Sequence, residues 1–317
     1  MRAILLDRYG PPANLRLGEI PQPEPAADQV LVRVRAASVN ALDWHVIRAD
    51  PFIVRIGGGF RGPKDPRVGS DAAGVVEAVG ADVSDLRVGD EVYGVGDGAF
   101  AELTAGRRFA PKPASLSFEE AAGVPIAGCT ALQTVRDWAR VQAGQRLAVI
   151  GAGGGVGSFA VQLAKELGAQ VTATTAADKV EFVRSLGADE VLDYARDDLA
   201  SRGPFDAILD IGGRGSIRSL RRALVPNGRL VLVAAGHGFG GPLLRIAAAM
   251  VRSRILRQRV IFGIASVTGE DLAILRDLIE AGRIRPVIDR VYPLAETAAA
   301  VERVEREEAC GKVVITI

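Results

Sequence analysis

Residues Gln145 to Lys165, QRLAVIGAGGGVGSFAVQLAK, read as a short apolar strand, a glycine cluster and a helix. Gly151, Gly153, Gly154 and Gly155 lack a Cβ, and Gly157 repeats the feature just inside the helix. Glycines permit a tight turn and a close backbone approach. The unpaired N–H groups and positive dipole of the helix start favour a dinucleotide pyrophosphate. A strict G-x-G-x-x-G does not fit, because a count from Gly151 ends on Val156. A count from Ala152 gives an A-x-G-x-x-G variant through Gly154 and Gly157. A glycine-rich turn joining strand and helix without a ligand is the alternative reading, but strand-turn-helix is the context the motif requires.

Outward from this loop the alternation continues: strand AQVTATT, helix ADKVEFVRSLG, strands EVLDY and FDAILDI, helix SIRSLRRAL, and strand RLVLVAA. Strands separated by helices predict a parallel, doubly wound sheet. The preceding part is different in kind. Val30, Val32 and Val34 share one face of a strand with Arg33 and Arg35 on the other, and DAAGVVEAVGADVSDLRVGDEVYGV breaks into short strands at Gly80, Gly89 and Gly94. This predicts a small antiparallel barrel or sandwich. Ser117 and Glu120 form a capping box where the helical part begins, and the C-terminal residues read as two helices and a closing strand. The segment Gly57 to Gly69 holds seven glycines and prolines with three basic residues, a long irregular stretch of the kind that carries function.

With 317 residues and 48% hydrophobic content, the chain is long enough for two domains. Its 39 basic and 38 acidic residues leave a net charge of +1, which gives no reason to expect nucleic acid or a charged membrane as the main partner. Cys129 and Cys310 make neither a disulfide framework nor a metal knuckle. No signal-peptide core and no apolar run of spanning length is present, so a cytoplasmic protein without a membrane partner is expected.

The whole chain resembles the medium-chain dehydrogenase/reductase superfamily, specifically its zinc-free quinone oxidoreductase, or zeta-crystallin-like, branch. The resemblance rests on VLVRVRAASVNALDW, GSDAAGVVEAVG, LRVGDEVYG, GCTALQT, AGGGVG, KVEFVRSLGADEVLDY and the terminal GKVVITI. It implies a GroES-like β-rich catalytic domain, residues 1–122 completed by 266–317, with an inserted Rossmann domain over 123–265. It implies a homodimer as well. At the positions where alcohol dehydrogenases of the superfamily bind catalytic zinc, this chain has Asn40, Ser70 and Ile126, so no metal is expected. Asp43 or Asp71 could at most form a residual carboxylate site.

Without a Lewis acid the acceptor must already be electrophilic, a quinone or an α,β-unsaturated carbonyl. An enoyl-thioester reductase, or a cofactor-binding protein without turnover of the crystallin or RNA-binding kind, are the alternatives. Asn40 is the candidate polar contact to an acceptor or nicotinamide oxygen, or a turn-stabilising residue. Asp43 could orient Asn40 or cap the turn, and His45 could donate a proton or stand uninvolved. The resemblance places Thr130, the loop residues Ala152, Gly153, Gly154, Gly155, Val156 and Gly157, and Ala234, Ala235, Gly236 and Lys312 around the cofactor. His237 would be a loop residue near the nicotinamide. NAD-specific sites carry an acidic residue about 20 residues after the loop. Here Thr174, Thr175 and Lys179 stand in that region and suit the 2′-phosphate of NADPH. Asp178 beside them is the one complication, and the alternative reading is that it caps the next helix while Lys179 points to solvent.

Overall fold

The computed structural model describes residues 1–50, 52, 54–213, 216–233 and 257–317. Contacts divide the chain into two units, Met1–Cys129 with Val267–Ile317, and Thr130–Ser266.

In the first unit, strands β1 (Arg2–Leu6) and β2 (Leu15–Glu19) pair as an antiparallel ribbon. β3 (Val30–Val39), β4 (Asp71–Val79), β5 (Glu91–Asp97) and β6 (Leu103–Pro111) form an antiparallel series, and β6 returns to pair with β3. That return pairing curls the sheet, as the turn-rich sequence predicts. Arg33 and Arg35 are exposed while Val30, Val32 and Val34 are buried. Helices α1 (Ala41–Arg48) and α2 (Val54–Gly58) follow β3, so the 57–69 stretch is partly helical at its start.

In the second unit, the described strands β7 (Arg146–Ile150), β8 (Gln170–Thr175), β9 (Glu190–Asp193), β10 (Phe205–Asp210), β11 (Leu224–Leu232) and β12 (Arg259–Phe262) are ordered β12-β11-β10-β7-β8-β9, and every pair is parallel. This is the predicted doubly wound Rossmann sheet. The order reverses between β7 and β10, where such sheets take their ligands at the C-terminal strand ends. Before the sheet come α3 (Phe118–Ala122), capped reciprocally by Ser117 and Glu120, and α4 (Pro125–Gln133), within which the two units meet in sequence. α5 (Gly155–Glu166), α6 (Val180–Ser185) and α7 (Ile217–Arg222) are the helices between strands.

The chain then re-enters the first unit. α8 (Gly269–Glu280) is capped by the Thr268 hydroxyl, which accepts from Asp271 N–H. β13 (Ile288–Pro293) lies parallel to β14 (Lys312–Thr316), with α9 (Thr297–Glu305) between them. β14 is antiparallel to β3, with Val313 opposite Val39, so the last strand of the chain closes the sheet of the first domain. The core beneath it includes Ile47, Phe100, Val301 and Ile315, all fully buried.

Gly94 shows how tightly this sheet closes. A Cβ there would stand 2.0 Å from the Arg108 carbonyl oxygen and 2.7 Å from Phe109 Cα, both backbone atoms. Gly94→Ala should therefore lower stability by about 1–3 kcal/mol, through forced separation of β5 from β6. Denaturant unfolding of the two proteins measures it, and an unchanged midpoint would refute the close approach.

Candidate active site

Each unit contributes a distinct cluster. In the Rossmann unit, Gly151 ends β7 with φ +83° and turns the chain toward α5. Gly154 is the residue preceding that helix, and the Ser158 N–H is the first to bond back, to the Gly154 carbonyl. The amides of Gly155, Val156 and Gly157 precede this ladder and stand at the positive end of a 12-residue helix. A Cβ on Gly157 would lie 2.2 Å from the Gly151 carbonyl oxygen, so the helix can approach the turn only with glycine there. Among the described residues, a Cβ on Gly154 would meet nothing closer than 3.8 Å.

The predicted cofactor-binding side chains converge on this loop. A Cβ on Gly153 would lie 2.6 Å from Thr175 Oγ1 and 2.9 Å from Lys179 Cδ. Thr174, one residue before the end of β8, lies opposite Ile150, and Lys179 is only 7% exposed, so its stem does not run out into solvent. Asp178 is exposed and caps nothing: Ala176 and Lys179 occupy the cap positions of the following helical turns. Neither part of the alternative reading, the cap at Asp178 or Lys179 in solvent, matches this arrangement. Beyond Thr174 opens a cavity of about 460 Å³, lined among others by Ile150, Tyr194, Asp198, Ser216 and Leu220. Asp197 and Asp198 also border it, and each accepts a backbone N–H of its own turn, from Asp193 and Ala200 respectively. Tyr194 and Ser216 escaped the sequence reading. Tyr194 was accessible to it in principle, since it directly follows the end of β9 and its N–H donates to the Thr175 carbonyl. Thr130 is half-buried in α4, and its carbonyl accepts from the Thr134 hydroxyl. Ala234, Ala235, Gly236 and His237 lie outside the described residues.

In the GroES-like unit a buried polar cluster forms where β3 ends. Pairing brings Ser38 opposite Asp71 at the start of β4, and β14 delivers Lys312 on the other side. Lys312 Nζ donates to Asn40 Oδ1 at 2.6 Å and to the Val39 carbonyl at 3.1 Å, and stands 3.7 Å from Asp71 Oδ2. Asp71 accepts from Asn40 Nδ2 at 2.9 Å, the Ser38 hydroxyl at 3.0 Å and the Ile126 N–H at 3.1 Å. Asp43 accepts from the Asn40 N–H at 2.7 Å. Burial raises the proton affinity of the Asp71 carboxyl, against the opposing pull of Lys312, and the same desolvation lowers the Lys312 pKa. Asp43 is pushed up to about 7 by burial, with the Asp71 charge adding to it and the Asn40 N–H opposing.

This geometry changes three expectations. The Asn40 amide is engaged inside the protein at both ends, with its oxygen on Lys312 and one N–H on Asp71. Of the donors expected to reach an acceptor, one N–H is left. Lys312, expected beside the cofactor, is 2% exposed and turns its ammonium onto Asn40 and Val39. Asp43 is the partner of the Asn40 backbone at the start of α1, so orienting and capping are one contact. His45 places Nδ1 2.6 Å from the Asp50 carbonyl and stacks on Trp44, with ring centroids 3.6 Å apart. A carbonyl only accepts, so this contact places a hydrogen on Nδ1.

Residues 26–133 match the alcohol dehydrogenase GroES-like domain, and residues 186–315 match a zinc-binding dehydrogenase model. The NAD(P)H oxidoreductase RTN4IP1, mitochondrial, of Bos taurus is 32% identical over 360 residues, covering 100% of this chain and 89% of the relative. The chloroplastic quinone-oxidoreductase QR1 of Triphysaria versicolor is 30% identical over 335 residues, covering 99% and 98%. The solved quinone oxidoreductase of Coxiella burnetii superposes with a TM-score of 0.88 at 30% identity, covering 100% of this chain and 99% of its own. Fold and site together define a nicotinamide-linked oxidoreductase assembled from a GroES-like and a Rossmann domain. The chain belongs to the medium-chain dehydrogenase/reductase superfamily, in its quinone oxidoreductase branch.

Zinc, which the wider family implies, does not fit this donor set. Asn40 and Ser70 offer neither thiolate nor imidazole, Ile126 contributes only its N–H, and the Asp71 carboxylate already faces the Lys312 ammonium. The nicotinamide cofactor does fit this chemistry: the amides of Gly155, Val156 and Gly157 precede the α5 ladder at its positive end.

The raised Asp43 pKa has a thermodynamic consequence. An unfolded aspartate titrates near 3.8 and the folded one near 7, so between these values the folded chain holds the extra proton. Its contribution to stability is complete below about pH 4 and is lost as pH rises toward 7. Asp43→Asn keeps an oxygen for the Asn40 N–H and removes the titration. Denaturation at pH 5 and pH 8 should show a larger alkaline loss in the parent than in the variant, by about 1–4 kcal/mol. Equal losses would overturn the assignment of the proton to Asp43.

Proposed function

We propose that this oxidoreductase uses NADPH, without zinc, to reduce quinones or α,β-unsaturated carbonyls. The observation that carries the reading is the convergence of Thr175 and Lys179 on the glycine turn, with no acidic residue at the end of β8. When bound, the cofactor supplies the hydride. The chain's own residues do the rest. The α5 amides hold the pyrophosphate, and Thr174, Thr175 and Lys179 take the 2′-phosphate, with Tyr194 and Ser216 flanking the adenosine. Ala152 and Gly153 shape the turn, while Thr130 borders the nicotinamide side. Asn40, fixed by Lys312 and Asp71, offers its remaining N–H to the oxygen that gains charge, a contact worth most in a site that excludes water.

The names of the mitochondrial and chloroplastic relatives support a nicotinamide-dependent reductase of this acceptor class. The reading carries with it a cytoplasmic homodimer acting on a small-molecule acceptor, with no nucleic acid partner. Among the described residues no helix is long and apolar enough to cross a membrane.

NADPH oxidation measured against a panel of quinones and enals tests the activity, and absence of turnover on every member would refute it. For the cofactor, a charge-assisted contact contributes about 1.5–3 kcal/mol. Lys179→Ala should therefore weaken NADPH roughly 10- to 150-fold and leave NADH nearly unchanged. Fluorescence titration with both cofactors decides it, and equal losses for the two would end the 2′-phosphate assignment.

His45 is committed through Nδ1 to the Asp50 carbonyl and stacks on Trp44, and in this reading it has no obligatory role as proton donor. His45→Gln should change kcat by less than about tenfold, against the 10² to 10⁴ of general acid catalysis. A loss above a hundredfold with NADPH affinity intact would restore the catalytic role.

A further inference from the structure

Beyond α1 the GroES-like unit turns large apolar side chains outward. Phe52, Ile56 and Phe60 are 64%, 61% and 63% exposed. They are not scattered: the two rings meet edge to face with centroids 6.2 Å apart. Arg55 lies between them and the body of the unit, its guanidinium 5.7 Å from the Phe52 ring and 5.2 Å from the Tyr9 ring, and donates to the Phe60 carbonyl at 3.4 Å. Leu42 and Val46, four residues apart on one face of α1, are exposed as well.

Single exposed apolar residues need no explanation, whereas a rimmed cluster marks a binding surface. Small-molecule pockets enclose most of their ligand, and side chains that are three-fifths exposed do not line such an enclosure. The charge around the cluster narrows the partner. Between residues 52 and 64 the sequence has Arg55, Arg61 and Lys64; of the flanking acidic residues Asp50 and Asp65, the exposed Asp65 is paired with Arg67. Arg61 and Lys64 are both exposed. Rings that can enter the headgroup level, interleaved with cations that meet phosphates, are the chemistry of an interfacial anchor.

We propose that the surface carrying Phe52, Ile56, Phe60, Arg61 and Lys64 is a peripheral docking surface for an anionic lipid bilayer, with Phe52, Ile56 and Phe60 entering the interface and Arg61 and Lys64 facing lipid phosphates. The contact is reversible and involves no spanning segment. It is independent of the acceptor and cofactor assigned above.

The test is sedimentation of the full chain with vesicles of phosphatidylcholine containing phosphatidylserine, or of phosphatidylcholine alone. The parent protein should bind the anionic vesicles, bind the neutral ones at least tenfold more weakly, and be released by salt. F52S/F60S should weaken anionic-vesicle binding at least about tenfold. R61E/K64E should weaken it at least about 25-fold, since each lost cation corresponds to about fivefold. Arg87→Glu, at another exposed position, should leave binding unchanged. These side chains are on the surface, and circular dichroism confirms that the variants fold. Failure of the parent to bind anionic vesicles overturns the proposal. So does an oligomer that F52S/F60S dissociates without vesicle binding, which would make this face an interface between copies. A rise in KM for a water-soluble quinone in F52S/F60S, with vesicle binding unaltered, would assign the face to the acceptor and also overturn it.

Discussion

A lysine ammonium enclosed between buried carboxylates is the constraint on which the GroES-like unit depends. Lys312 and Asp71 are 2% and 0% exposed, and neither charge could remain there alone. The amide of Asn40 makes the pair tenable: its oxygen takes a proton from the ammonium and its nitrogen gives one to the carboxylate. The three strands that supply these groups, β3, β4 and β14, are thereby held in one register. The catalytic surface and the closure of the sheet are consequences of the same contacts. A second carboxylate, Asp43, adds negative charge to a space with one cation, and its raised pKa is the protein's way of remaining near neutrality there.

The Rossmann unit is organised by distance of approach instead of charge. Gly157 lets α5 press against the turn at Gly151, which points the first helical amides outward at the reversal of strand order. Thr175 and Lys179 close over the same turn from the neighbouring strand and its helix. Steric permission and polar chemistry thus fall to different residues: glycines create the space, and hydroxyls and an ammonium border it.

This division explains the side on which the family's metal chemistry has been lost. A zinc site requires soft or imidazole ligands aimed at one point, whereas here the corresponding positions are spent on an internal hydrogen-bond network. What remains for the acceptor is a preorganised polar group in a desolvated setting. That suits substrates whose oxygen readily accepts charge.

The sequence by itself determined the glycine turn, the strand-helix alternation, the capping at Ser117, and the half-buried character of β3. Each of these is a local property, set by backbone freedom, side-chain period or a bond three residues away. It also brought the candidate residues Asn40, Asp43, Thr175 and Lys179 into view, since they sit beside those local signals. Only the tertiary structure decided what they touch. Lys312 meets Asn40 across a separation of 272 residues, and Asp71 meets it across 31. No periodicity or spacing encodes such a meeting, because it is made by strand pairing between distant segments. The same reason hid the role of Lys312 and moved most of Asn40 from the acceptor into the core, where an unpaired charge would cost more than any local preference could offset.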